Sequence, residues 1–111
     1  MQIRKTYQEI SPELLYAEIR DFVLKQGASL SESSLETYTQ PDESASFISR
    51  GTITFKVSGN TDKECLRAHI VGTSRTDTKL MLDIDEKLFP KSKVSALLDD
   101  VDFIFGSHEV K

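Results

Sequence analysis

From Phe47 to Ile84 apolar and polar residues alternate in three stretches, separated by short runs of turn-forming residues. In the first stretch Ser49, Gly51, Ile53, Phe55 and Val57 share one face, and Ile48, Arg50, Thr52, Thr54 and Lys56 share the other. In the second, Leu66, Ala68 and Ile70 oppose Cys65, Arg67, His69 and Val71. In the third, Leu80, Leu82 and Ile84 oppose Lys79, Met81 and Asp83. Ser58–Asp62 and Thr73–Asp77 read as the intervening turns. Gln40–Ser44, with Pro41 and Asp42, reads as a turn from a preceding strand at Leu35–Thr39, polar enough for a sheet edge. Three successive hairpins predict an antiparallel meander with one face meant for burial.

Helices are signalled on both sides of this block. Ser11-Pro12-Glu13 combines a capping hydroxyl, a proline fitted to the first helical position and an acid at the positive end of the helix dipole. Leu15, Ile19, Phe22 and Val23 then fall on one stripe, and Gly27 stands where a left-handed cap is wanted, so a helix is expected over about residues 11–26. Near the C-terminus Ser92 could cap a second helix carrying Val94, Leu97, Leu98, Val101 and Phe105 at helical spacing. Asp99, Asp100 and Asp102 oppose the dipole of its last turn, which leaves Phe103–Phe105 open to a strand reading. Residues 2–10, with Ile3, Tyr7 and Ile10 among charges, read as a strand exposed on one face.

The expected fold class is therefore α+β, in the order β-α-β-β-β-β-α: an antiparallel meander with both helices packed on one face, forming one domain over residues 1–111. The expected core is Leu15, Ile19, Phe22, Val23, Ile53, Phe55, Val57, Leu66, Ala68, Ile70, Leu80, Leu82, Ile84, Val94, Leu97, Leu98 and Val101. Gly51 in mid-strand implies a bulge, a bend or the close approach of another element. The element order resembles that of the TATA-binding-protein-like and helix-grip folds, which set an antiparallel sheet on helices. That likeness concerns topology and carries no activity with it.

Composition narrows the function classes. The 111 residues are 38% hydrophobic and 29% charged with a net charge of −4, a balance that suits a globular chain. Acids exceed bases by four to two in residues 27–57 and by six to four in residues 85–111. Nucleic-acid binding is not expected, because phosphate contacts call for a basic surface and base stacking for outward aromatics. Cys65 is the only cysteine, so no internal disulfide can form and a reducing, cytoplasmic setting is expected. The opening Met1–Lys5 leads into no apolar segment of signal-peptide type, and no apolar run reaches membrane-spanning length.

No residues combine into a catalytic, metal or cofactor motif, and the chain is expected not to be an enzyme. His69 would need a nucleophile or orienting group within hydrogen-bond reach. Cys65, four residues away on one strand, would lie roughly 13 Å off by strand rise, and it reads as a small, partly buried spectator. Asp83, Asp85 and Glu86, like Asp99, Asp100 and Asp102, lack the ligand spacing and turn glycine of a calcium loop. His108 is expected to be frayed and solvated.

What remains is the sheet face turned away from the helices. Ile48, Arg50, Thr52, Arg67, His69 and Met81 are the candidate interaction residues, joined by Thr54, Lys56, Val71 and Lys79. Cations interleaved with apolar groups suit docking of an acidic protein partner or a second copy. The competing expectation is a carrier for a small apolar ligand between the sheet and the C-terminal helix, in space left by Gly51 and Ala68.

Overall fold

A computed structural model describes residues 1–39, 47–57, 63–73 and 77–110. Along the chain these form β1 (Gln2–Tyr7), α1 (Pro12–Lys25), β2 (Ala28–Thr39), β3 (Phe47–Val57), β4 (Glu64–Thr73), β5 (Thr78–Ile84) and α2 (Lys91–Phe105), followed by a 3-10 turn at Gly106–His108. The turns expected at Gln40–Ser44 and Ser58–Asp62, and most of the one at Thr73–Asp77, lie outside the described residues. The fold is α+β. All strand pairings are antiparallel, in the order β1-β5-β4-β3-β2.

α1 forms where its sequence places it. Ser11 Oγ accepts a hydrogen bond from the Leu14 N–H at 3.1 Å, satisfying one of the donors a helix start leaves orphaned. At the other end Gly27 adopts φ of 94°, a conformation that costs a side-chain-bearing residue energy. Leu15, Ile19 and Val23 are fully buried over β2, β3 and β4. They meet Ile53, Phe55, Leu66, Ala68, Ile70, Leu80, Leu82 and Ile84, all buried on the same side of the sheet. α2 lies beside α1 and adds Val94, Leu97 and Val101 to that core. Each large side chain in it contributes about 1.5–3 kcal/mol by leaving water.

Several boundaries differ from the sequence expectation. β1 stops at Tyr7, and Glu9 turns the chain toward α1 in the left-handed region at φ of 63°. β2 runs for twelve residues rather than over Leu35–Thr39 alone. Its register against β3 slips between Leu30 and Glu32, and such a bulge breaks the two-residue alternation that would have announced the first half. α2 begins at Lys91 with Pro90 as its N-cap and no side-chain cap bond, so Ser92 lies inside the first turn and does not cap. At its far end helix persists through Phe105, since Val101 and Phe105 are both buried one turn apart. That burial outweighs the unfavourable acids, whose dipole cost is only about 0.3–1 kcal/mol each.

The core is also wider than the sequence pattern indicated. Phe22, Val57 and Leu98 pack at its margin, while Tyr7, Ile10, Tyr16, Cys65, Phe89 and Phe105 belong to its interior. Cys65 does not share the outer face with Arg67. The β3–β4 register slips at Phe55/Lys56, whose partners are Leu66 and Glu64, so Cys65 pairs with neither and turns inward to 2% exposure. Burial pushes its thiol up from the ordinary value. His108 is half-buried, and its carbonyl accepts the Gln8 N–H at 2.8 Å. The Val110 N–H bonds to Thr6 O and Glu109 bridges to Tyr7, so this segment lies along the free edge of β1 and is not frayed.

Candidate functional site

Strand pairing arranges the helix-free face in cross-strand rows. One row runs Arg4, Met81, His69, Thr52, Ser34; the next runs Thr6, Lys79, Val71, Arg50, Glu36. Between them the face dips into an open depression of about 700 Å³ lined by Arg4, Thr6, Arg50, Thr52, His69, Val71, Lys79 and Met81. Its floor is made by the half-buried His69, Val71, Met81 and Thr52, and its rim by the exposed Arg4, Arg50 and Lys79. Strands stand about 4.8 Å apart, so Lys79 and Arg50, two strands from each other, flank Val71 at roughly 10 Å.

Electrostatically this rim is unspent. Among the described residues no hydrogen bond or ion pair engages the side chains of Arg4, Arg50 or Lys79. Glu36 stands across from Arg50 in the ladder without closing to an ion pair. His69 Nε2 lies 3.9 Å from Asp83 Oδ2, while the other Asp83 oxygen accepts a hydrogen bond from Gln2 Nε2 at 3.0 Å. Cations held apart over an apolar and hydroxyl floor are suited to receiving carboxylates by charge-assisted hydrogen bonds.

Of the six residues singled out from the sequence, Arg50, Thr52, His69 and Met81 come together in this depression. Two do not. Arg67 is drawn away by Glu64, whose Oε1 accepts from Nε at 3.1 Å and Nη2 at 2.9 Å. Ile48 sits in an outer row between Tyr38 and Thr73. Thr54 shares the face, flanked by Glu32 and Arg67, but is 8% exposed. Arg4 and Thr6 were missed. They enter because β1 pairs with β5 across some eighty residues of chain, and no local pattern near residue 4 encodes that pairing.

On the opposite side the space beside Gly51, from which a ligand pocket was expected, is occupied. A methyl group at Gly51 would come within 2.6 Å of Tyr16 Cδ2 and 3.3 Å of Leu35 Cδ1, so the glycine admits the Tyr16 ring. Ala68 is fully buried in the packed core. Ser49, two residues before Gly51 on the same face of β3, donates a 2.6 Å hydrogen bond to Glu13 Oε1 of α1.

Two polar clusters lie away from this face. Lys5 Nζ is 3.3 Å from both Asp102 and Glu109, tying β1 to α2 and to the C-terminal segment. Burial opposes its charge, but hydrogen bonds to Glu109 and Asp102 outweigh it and hold the ammonium above its ordinary pKa. Beside it, the Tyr7 hydroxyl is buried with no hydrogen-bond partner among the described residues. Desolvation, then the charges of Glu109 and Asp102, push that phenol up. At the seam between the helices the carboxyl groups of Glu18 and Asp100 meet. Interaction with the Asp100 carboxyl, with burial and like charge behind it, raises Glu18 above the usual carboxylate range, and among the described residues Asp100 Oδ2 is buried without a hydrogen-bond partner.

No family model, curated protein or solved structure matches this chain. Among the described residues, no helix is long and apolar enough to cross a membrane.

Proposed function

We propose that this protein is a non-catalytic binding module whose working surface is the depressed, helix-free face of its sheet, and that it receives an acidic protein partner there. The observation that carries this reading is the set of cations Arg4, Arg50 and Lys79, unpaired among the described residues, around the His69–Val71–Met81 floor. In a chain of net charge −4, three uncommitted cations on one depression favour an anionic occupant, because complementary charge steers encounter and fixes register. Absence of chemistry is supported by the separation of Cys65 and His69 onto opposite sides of the sheet. The strand order β1-β5-β4-β3-β2 supports a TATA-binding-protein-like or helix-grip-like topology. A core shared by both helices and the sheet supports one domain over residues 1–111.

Poly-glutamate serves as the probe. Fluorescence anisotropy should give saturable binding that weakens as salt rises and is lost in the double variant Arg50→Glu/Lys79→Glu. Both side chains are exposed, so the variant should keep the wild-type melting temperature. Absence of binding at low salt, or binding indifferent to the double variant, refutes the reading. Tighter capture of an oligonucleotide than of poly-glutamate would reassign the face to nucleic acid.

A further inference from the structure

We infer that a second copy of this chain docks on the edge of β2 that is left uncovered among the described residues, β2 against β2, to build one continuous ten-stranded sheet. This inference is independent of the helix-free face.

β2 is the long edge strand of the sheet, twelve residues bonded to β3 on one side only. A bare edge presents a row of backbone donors and acceptors to any incoming strand. Natural edges are usually blunted by short length, lysine, proline or a covering segment. Residues 28–39 contain no Lys, Arg or Pro, and among the described residues no backbone bond from another element covers this edge. Among the described strand side chains, the exposed large apolar ones are Leu30 at 39%, Leu35 at 40% and Tyr38 at 50%, all on β2.

Charge narrows the register of such a pair. Glu32 and Glu36 are the only side chains of β2 that carry charge at neutral pH. A two-fold axis at Ser34 would set Glu32 against Glu36, and an axis at Glu36 would set that acid against itself. An axis at Leu35 avoids both: the two Leu35 side chains meet, Glu36 faces Ser34, Thr37 faces Ser33 and Tyr38 faces Glu32. The two members of each such pair lie on the same side of the sheet, as the β2–β3 register from Glu32 to Tyr38 requires. Pairing over about nine residues gives a strip roughly 30 Å long. With a molecular thickness of 20 Å, each copy can contribute about 600 Å², which brings the total to the lower end of the range for specific interfaces. The expected assembly is thus an isologous dimer that dissociates on dilution.

Sedimentation equilibrium over a wide concentration range should show monomer–dimer exchange, with β2 amides gaining protection from hydrogen exchange as concentration rises. Leu35→Lys puts two cations face to face on the axis and should weaken the dimer roughly tenfold or more. Ser34→Lys places a cation opposite Glu36 of the second copy, twice per dimer, and should tighten it. Both positions are exposed, and unchanged melting of the dilute monomer verifies the fold. A monomer at every concentration overturns the inference. So does a dimer that ignores both β2 variants, or one dissolved by Met81→Glu, which would move self-association to the helix-free face.

Discussion

At the β1 edge of the sheet a six-residue strand is bonded over by the C-terminal segment, whereas at the β2 edge a strand twice as long has no covering backbone bond among the described residues. Each edge carries a tyrosine, Tyr7 at 0% exposure and Tyr38 at 50%. Tyr7 packs edge-on against Phe105 at 6.2 Å between ring centroids, beneath the Lys5 ion pairs. Tyr38 lies on the outer face opposite Ile48. The contrast teaches where stability and availability reside. The chain invests a helix end, an ion-pair cluster and two backbone bonds in closing one edge, and among the described residues nothing bonds over the outer side of the other.

Truncating the two tyrosines gives the sharpest comparison. Tyr7→Ala should cost about 3–5 kcal/mol, as large buried aromatics do, while Tyr38→Ala should cost about 1 kcal/mol or less; urea unfolding of both variants measures the difference. Equal losses would dissolve the distinction between the edges. Next in size, Lys5→Ala should cost about 1–3 kcal/mol, since it removes charge-assisted bonds to Asp102 and Glu109. It should also speed amide exchange at Gln8 and Val110 while leaving β2 unchanged.

Lys5 makes the closed edge sensitive to alkali as well. Its folded pKa is raised, so its contribution is complete below the ordinary lysine value of 10.5 and is lost as pH rises through the raised value. Exchange at the β1 edge should increase in that window, and Lys5→Ala should abolish the dependence. Glu18 provides a control away from both edges. Its raised pKa means that the folded state loses stability as pH climbs from the ordinary glutamate value through the shifted one. Glu18→Gln should therefore raise the melting temperature at neutral pH and flatten its pH profile. The smallest effect belongs to Tyr7→Phe, which deletes a buried hydroxyl that has no partner. It should be neutral or stabilising by about 1 kcal/mol or less, in contrast to the alanine variant at the same position.

Local signals in the sequence were enough for the helix at Pro12–Lys25, because the cap, the proline and the apolar stripe all act within a few residues of one another. They were enough for β3 to β5 as well, where alternation sends Ile53, Phe55, Leu66, Ile70, Leu80 and Leu82 to one interior. They also placed Arg50, Thr52, His69 and Met81 on a common outer face. They failed at the bulges, where one extra residue reverses the alternation and hides both the first half of β2 and the burial of Cys65.

What tertiary structure alone decided is which distant segments meet. Pairing of β1 with β5 brought Arg4 and Thr6 to the depression, docking of the C-terminal segment closed one edge, and Tyr16 filled the space above Gly51. These outcomes depend on contacts between residues tens of positions apart, whose free energy arises from shared burial and backbone pairing. Side-chain periodicity records which way a residue faces; it carries no record of what will arrive to face it.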